Sequence, residues 1–259
     1  MLNSARKRVL TTVAALGAAL VVGISGASMA GADEHGAGQA TPQHDSSIEN
    51  LGLVKNKIEA YYGDDGDHQP SADSAYARDA KRVERRLQRW LRVGRHHHQD
   101  GKKALVLDVD DTVLSNYTYE ASHDFGYDPA TNAECVEAKC FPAVFGMPKL
   151  VAWAAAHGYD VFFVTGRPHD QQQATLDNLA EQGFDAPTGI FTKVKSAPYP
   201  PYLTCAPNCS TIEYKSGTRA HIESMGYTIV ANAGDQYSDL KGGHAQRTFK
   251  MPNPMYYLP

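Results

Sequence analysis

Apolar and polar positions divide the chain into three stretches. Val9–Ile24 is an apolar run behind the basic triplet Arg6, Lys7 and Arg8, and Ala30-Gly31-Ala32 closes it with small residues. That pattern predicts a cleaved signal peptide over residues 1–32, since the run is too short and too rich in Gly and Ala to favour a membrane anchor. Residues 33–47, rich in Gly, His, Gln and Ser, read as a disordered leader. Helical spacing then begins. Ile48, Leu51, Val54, Ile58 and Tyr61 share one stripe, Gly63–Pro70 breaks it, and Ser71–Arg95 places Tyr76, Val83, Leu87, Trp90 and Leu91 on one side. The other side of that second helix carries Arg78, Lys81, Arg82, Arg85, Arg86, Arg89 and Arg92 and reads as a solvated face; His96, His97 and His98 read as a surface connector.

From Lys103 the period changes. Ala104–Val109, Val161–Thr165, Gly189–Thr192, Thr228–Ala231 and Arg247–Met251 read as strands. Pro148–His157, Pro168–Gln182 and Ile212–Met225 read as helices between them, with Pro168 in a first turn. Alternation of this kind predicts an α/β fold: a mostly parallel sheet with helices on both faces. Residues 48–259 form one domain in this reading, a helical extension over 48–102 and a catalytic core over 103–259. Leu114–Pro148 is too short for a large cap and reads as a small cap or loop insertion, with Tyr117, Tyr119, Phe125 and Tyr127 forming an aromatic rim and Tyr199–Tyr202 facing it.

Composition narrows the partners. The chain has 29 Asp and Glu against 25 Lys and Arg, and three of the basic residues leave with the predicted signal. An acidic mature chain is a poor general binder of nucleic acid polymers, and no second long apolar stretch predicts a membrane contact. Nothing in the pattern fixes an oligomeric state. The four cysteines form two close pairs, Cys135/Cys140 and Cys205/Cys209, which in an exported chain favour two local disulfides over a shared zinc ion.

The chemistry concentrates at strand ends. The apolar run Leu105–Leu107 stops at Asp108, Asp110 and Asp111, where open α/β sheets bind ligands. Packed carboxylates repel unless a cation joins them, and a hard divalent ion such as Mg²⁺ is the simplest one. Thr165, Gly166 and Arg167 follow the second strand, Lys215 lies near the start of a late helix, and Asp235 and Asp239 follow the fourth strand. All of these can converge on one crevice.

In Asp108-Val109-Asp110-Asp111-Thr112, Thr165, Lys215 and Gly234 to Asp239, the chain resembles the haloacid-dehalogenase-like (HAD) phosphohydrolases. Asp108 to Asn116, Lys215-Ser-Gly-Thr-Arg219 and Met251 to Tyr257 narrow the resemblance to their secreted acid phosphatase branch, which includes class B and C enzymes and plant storage proteins. The resemblance implies a HAD-like Rossmannoid fold and a secreted, Mg²⁺-dependent hydrolase of small phosphomonoesters. Asp108 would be the nucleophile, Asp110 the acid and base, with Thr165 and Lys215 completing the catalytic set. Asp108, Asp110, Asp235 and Asp239 would serve the metal, and Thr112, Asn116, Tyr117, Gly166 and Arg167 the substrate. Arg167 would touch phosphate or pair with a surface acid, and Asp111 would face solvent or cap a turn. A non-catalytic phosphate-binding or storage relative is the alternative.

Overall fold

A computed structural model describes residues 48–97, 101–185 and 187–258. The predicted signal, the leader and His98 lie outside the described residues, as do the side chains of His96 and His97. Five strands, β1 (Lys102–Leu107), β2 (Tyr159–Pro168), β3 (Gly189–Lys193), β4 (Tyr227–Gly234) and β5 (Thr248–Lys250), pair in the order β3-β2-β1-β4-β5, all parallel. The central strand β1 is apolar on both faces because helices cover both. Leu105 and Leu107 join the larger core with Val161, Phe163 and Val230. Their neighbours Ala104 and Val106 point the other way, to Phe162, Val164 and Ile229. A period of two thus sorts one continuous apolar run into two cores.

Helices α1 (Leu51–Tyr62), α2 (Ala75–His97), α5 (Met147–Ala156) and α6 (Gln172–Glu181) contribute to the larger core, and α7 (Thr211–Ser224) to the smaller one. Gly63 ends α1 at φ +69°, a conformation only glycine adopts without strain, and its N–H bonds the Ala60 carbonyl. Leu87 and Leu91 of α2 are buried, and Trp90 donates from Nε1 to the Val230 carbonyl at 2.9 Å. The helical stripe of α1 runs shorter than its sequence suggests: Ile58 and Tyr62 are buried, whereas Ile48 and Leu51 are 74% and 66% exposed.

Three local expectations need correction. Pro168 ends β2 and is followed by a 3-10 turn, His169–Gln171, so the helix starts at Gln172. The insertion is not a loop: it folds into α3 (Tyr117–Ser122) and α4 (Pro129–Glu137), the latter capped by the Asp128 carboxylate with Pro129 in its first turn. Tyr202 does not face the insertion; its ring stacks on His221 of α7 at 4.1 Å. Both cysteine pairs are disulfides, so their thiols are not free to hold zinc. Among the described residues, no helix is long and apolar enough to cross a membrane.

Candidate active site

Three strand ends and one helix meet at the carboxyl edge of the sheet. Asp108 directly follows β1, and its N–H continues the sheet by donating to the Ala233 carbonyl at 2.9 Å. Arg167 and Gly166 lie at the end of β2. Asp235 follows β4, and the short helix α8 (Tyr237–Leu240) turns Asp239 back over it. Gly234 makes that turn possible, because a Cβ there would collide with the Asp239 side chain. Lys215 comes from the second turn of α7, whose N-terminus carries a reciprocal cap between Ser210 and Glu213.

Carboxylate oxygens of Asp108, Asp235 and Asp239 all lie within 4.8 Å of one another, and all three residues are buried. At an effective dielectric near 20, each such pair repels by roughly 3–4 kcal/mol. Lys215 answers part of that charge, bonding Asp108 Oδ1 and reaching Asp239 Oδ1 at 2.8 Å. Burial works against the lysine's charge, but the two carboxylates outweigh it and push its pKa up. One ammonium among three carboxylates leaves the cluster short of positive charge. Burial raises the Asp108 pKa well above the ordinary range, with Lys215 opposing and Asp239 and Asp235 adding to the rise. Burial, with Asp111 and Asp239 nearby, pushes Asp235 up to about 7. Gln236 Nε2 and Asn253 Nδ2 each donate to Asp235 Oδ2 at 2.7 Å. Hard oxygen donors, close together and undercompensated, suit a divalent cation.

The expected substrate residues separate into two groups. Gly166, Arg167 and Asn116 line the cavity above Asp108, whose volume is about 600 Å³. Thr112 is fully buried and donates to Asp108 Oδ2 at 3.4 Å, steadying that carboxylate from below. Thr165 is also buried; its hydroxyl makes a long 3.5 Å contact to Asp110 Oδ2 and accepts the Arg167 N–H at 3.1 Å. Tyr117 is not at the rim. Its ring stacks on Tyr62 at 4.0 Å inside the core, and its hydroxyl donates to Asp64 at 2.7 Å. Phe125 and Tyr127 do line the mouth.

The acid that Arg167 pairs with is Asp110 in the cavity, not one on the outer surface. Its guanidinium grips Asp110, donating from Nη2 at 2.7 Å and from Nε at 3.1 and 3.2 Å. Thr175 holds Nη1 at 3.1 Å, and the Phe141 ring lies 4.9 Å from the guanidinium carbon. Burial opposes ionisation of Asp110, but the guanidinium more than offsets it and holds the carboxyl below its usual range. Asp111 points inward rather than to solvent. At φ +51° it turns its fully buried carboxylate to the Asn116 N–H at 2.9 Å and the Tyr256 hydroxyl at 2.7 Å. Burial pushes it up to about 7 despite those two donors.

Sequence reasoning gave no role to Arg219, Asn253 or Tyr256. Arg219 is buried one turn along α7 from Lys215 and bonds the backbone carbonyls of Asp239, Lys241 and Gly243, fixing α8. Asn253 and Tyr256 belong to the irregular tail after β5, which crosses the site and bonds back at Gln236 through the Leu258 N–H.

A family model described as HAD superfamily, subfamily IIIB (Acid phosphatase) matches residues 55–259. The chain is 32% identical over 188 residues to the stem 28 kDa glycoprotein of Glycine max, covering 71% of this chain and 70% of that one. It is 34% identical over 163 residues to acid phosphatase 1 of Solanum lycopersicum, covering 61% and 60%. Vegetative storage protein 1 of Arabidopsis thaliana is 28% identical over 221 residues, covering 83% and 75%. The class C acid phosphatase from Bacillus anthracis superposes with a TM-score of 0.60 at 20% identity, over 79% of this chain and 86% of that one, a likeness of fold. With a model match across most of its length and this fold, the chain belongs to the HAD superfamily, subfamily IIIB, the acid phosphatase family.

Proposed function

We propose that this protein is an exported, Mg²⁺-dependent hydrolase of small phosphomonoesters working through an aspartyl-phosphate on Asp108. The observation that carries this reading is the buried Asp108 carboxylate bonded to Lys215, with Asp235 and Asp239 within 4.8 Å. Asp108 attacks phosphorus and the ester oxygen leaves with the proton of Asp110; a water then attacks the acyl phosphate, giving its proton to Asp110 and releasing phosphate. The Asp108 and Asp235 carboxylates and the Asp110 main-chain carbonyl would hold Mg²⁺, with Asp239 orienting its waters. That ion, when bound, supplies the positive charge that lets two anions meet. An ester dianion at ~4 Å from a carboxylate meets repulsion of about 4 kcal/mol per charge pair at an effective dielectric near 20. Lys215 offsets part of this for Asp108, and Gly166 offers its N–H to a phosphoryl oxygen.

Arg167 gives the cycle a further requirement. While its guanidinium grips Asp110, that carboxyl stays ionised and has no proton to give. A phosphoryl group entering beside Gly166 competes for the same guanidinium and frees Asp110 to carry the proton. Two disulfides and the predicted signal over residues 1–32 support an exported location.

The storage or phosphate-binding reading draws on relatives named as storage proteins. Asp108, Asp110, Lys215 and Asp235 are all present to do chemistry, which favours the enzyme. The test is hydrolysis of p-nitrophenyl phosphate with Mg²⁺ and with EDTA. Turnover is expected with Mg²⁺, lost in EDTA and lost in Asp108→Asn with the fold intact by circular dichroism. Equal background rates in all three samples would overturn the enzyme reading and favour the storage or phosphate-binding one.

A further inference from the structure

The mouth of the cavity over Asp108 carries two cations that the reaction leaves unused. Lys193 ends β3 and Lys195 follows it, and both line the cavity that contains Asp108 and Lys215. Neither ammonium lies within ion-pair distance of a carboxylate among the described residues, although Asp170 and Glu120 line the same cavity. Thr211, the first residue of the fourteen-residue helix α7, shares that wall and adds the partial positive charge of a helix amino end. Lys193 pairs in register with Pro168 of β2, which itself flanks β1. Two strand spacings, about 10 Å, therefore separate the Lys193 backbone sideways from β1, and Lys193 lies further along the sheet than Asp108, so its side chain must reach back toward the cavity to place a distal anion on the order of 10 Å from Asp108. Phe125, Tyr127 and Leu258 supply apolar surface around the same mouth. A cavity of about 600 Å³ holds far more than a phosphoryl group.

We propose that Lys193 and Lys195 form a second anion subsite, so that favoured substrates are phosphomonoesters bearing a further phosphate or carboxylate about 10 Å from the ester phosphorus, joined by an apolar body. The inference rests on the phosphatase reading and adds a substrate class to it. Ester phosphate binds over Asp108, the linking body lies against Phe125 and Tyr127, and the distal anion meets the two ammonium groups. Charge-assisted contacts to two lysines at a partly exposed rim correspond to about a tenfold preference.

Matched esters test this on the full chain with Mg²⁺. Hexyl phosphate is compared with hexane-1,6-diol bisphosphate and with 6-carboxyhexyl phosphate, whose distal groups distinguish phosphate from carboxylate recognition. The wild-type kcat/KM ratio of a doubly anionic ester to hexyl phosphate is expected near tenfold, and it should fall to the statistical factor of about two for the bisphosphate, or to unity for the carboxylate, in K193A/K195A. A propane-1,3-diol bisphosphate, too short to span the gap, should show only the statistical factor of about two over propyl phosphate. A ratio unchanged by the double substitution overturns the subsite, as does an equal loss on all esters, which means general steering of phosphate. If no ester is turned over, the phosphatase reading fails. Calorimetric affinities of the bisphosphate and hexyl phosphate for wild type and K193A/K195A then decide the subsite separately, equal affinities overturning it.

Discussion

Consecutive acids in one short loop face opposite directions, and side-chain direction decides what each can do. Asp108 and Asp110 face the cavity, whereas Asp111, left-handed at φ +51°, is held in the core by Tyr256. Residue types at strand ends made Asp108, Asp110 and Asp235 legible, and at the start of a helix Lys215, because few structural roles call for buried charge at either place. Asp111 was not legible, since no periodicity governs the direction of a side chain in a turn. Tyr117 misled for a related reason: an aromatic in an insertion looks like a rim until Tyr62, from a distant helix, stacks on it. Asn253 sits in a Pro-rich tail and gives no signal that its amide ends on Asp235, 18 residues away. Asp235 is a metal ligand in the proposed reaction, and outer partners of such ligands typically control metal affinity by 10- to 100-fold. In Asn253→Ala the Mg²⁺ concentration for half-maximal hydrolysis should rise at least about tenfold, with most of kcat recovered at saturation. A metal titration of activity checks this, and an unchanged midpoint would remove Asn253 from the positioning of Asp235.

Helix α7 links the two ends of the chemistry. Lys215 on its second turn reaches the carboxylates, and Arg219 one turn later fixes the backbone that carries one of them. Replacing Arg219 by Met keeps much of the volume, removes the side-chain donor of the Lys241 and Gly243 carbonyls and leaves the Asp239 carbonyl with Asn232 Nδ2 alone. Urea unfolding should show a loss of about 3–5 kcal/mol, and hydrolysis should fall even at temperatures where the variant stays folded. A variant as stable as wild type would mean that α8 holds its place without Arg219. The strands and long helices were readable at this scale because burial imposes periods of two and 3.6. Pro168 was assigned to the wrong element, since its fixed φ suits a strand end as well as a first helical turn.

Across the whole molecule, the raised carboxyls are expected to tie stability to pH and, in the proposed reaction, to metal. Asp111 and Asp235 are pushed up to about 7 in the folded protein from an ordinary 3.8. A carboxyl raised on folding contributes stability in full below its unfolded pKa, and that stability is lost as pH rises through the folded value. Metal-free protein should therefore gain from these groups on acidification from pH 7.5 to pH 5. Mg²⁺ prefers ionised carboxylates, so its stabilising effect should be larger at pH 7.5 than at pH 5. Melting temperatures with EDTA and with Mg²⁺ at both pH values test the pair of statements. A Mg²⁺ shift that is no larger at pH 7.5 would mean the ion does not bind through this cluster. The parallel sheet with helices on both faces followed from alternation; its strand order, with the strand that carries Asp108 at the centre, and the folding of the insertion into two helices did not, the latter because its apolar residues keep no regular spacing.

The bond from Tyr256 to Asp111 has a mechanical consequence. The tail that forms one bank of the cavity is stitched to the loop that forms its floor, and Asn253 adds a second stitch at Asp235. That bank cannot swing aside without breaking its bonds to Asp235 and to Asp111, the neighbour of Asp110. In the proposed hydrolysis, admission of substrate and release of phosphate would therefore fall to the segment between α3 and α4, where Phe125 and Tyr127 line the cavity.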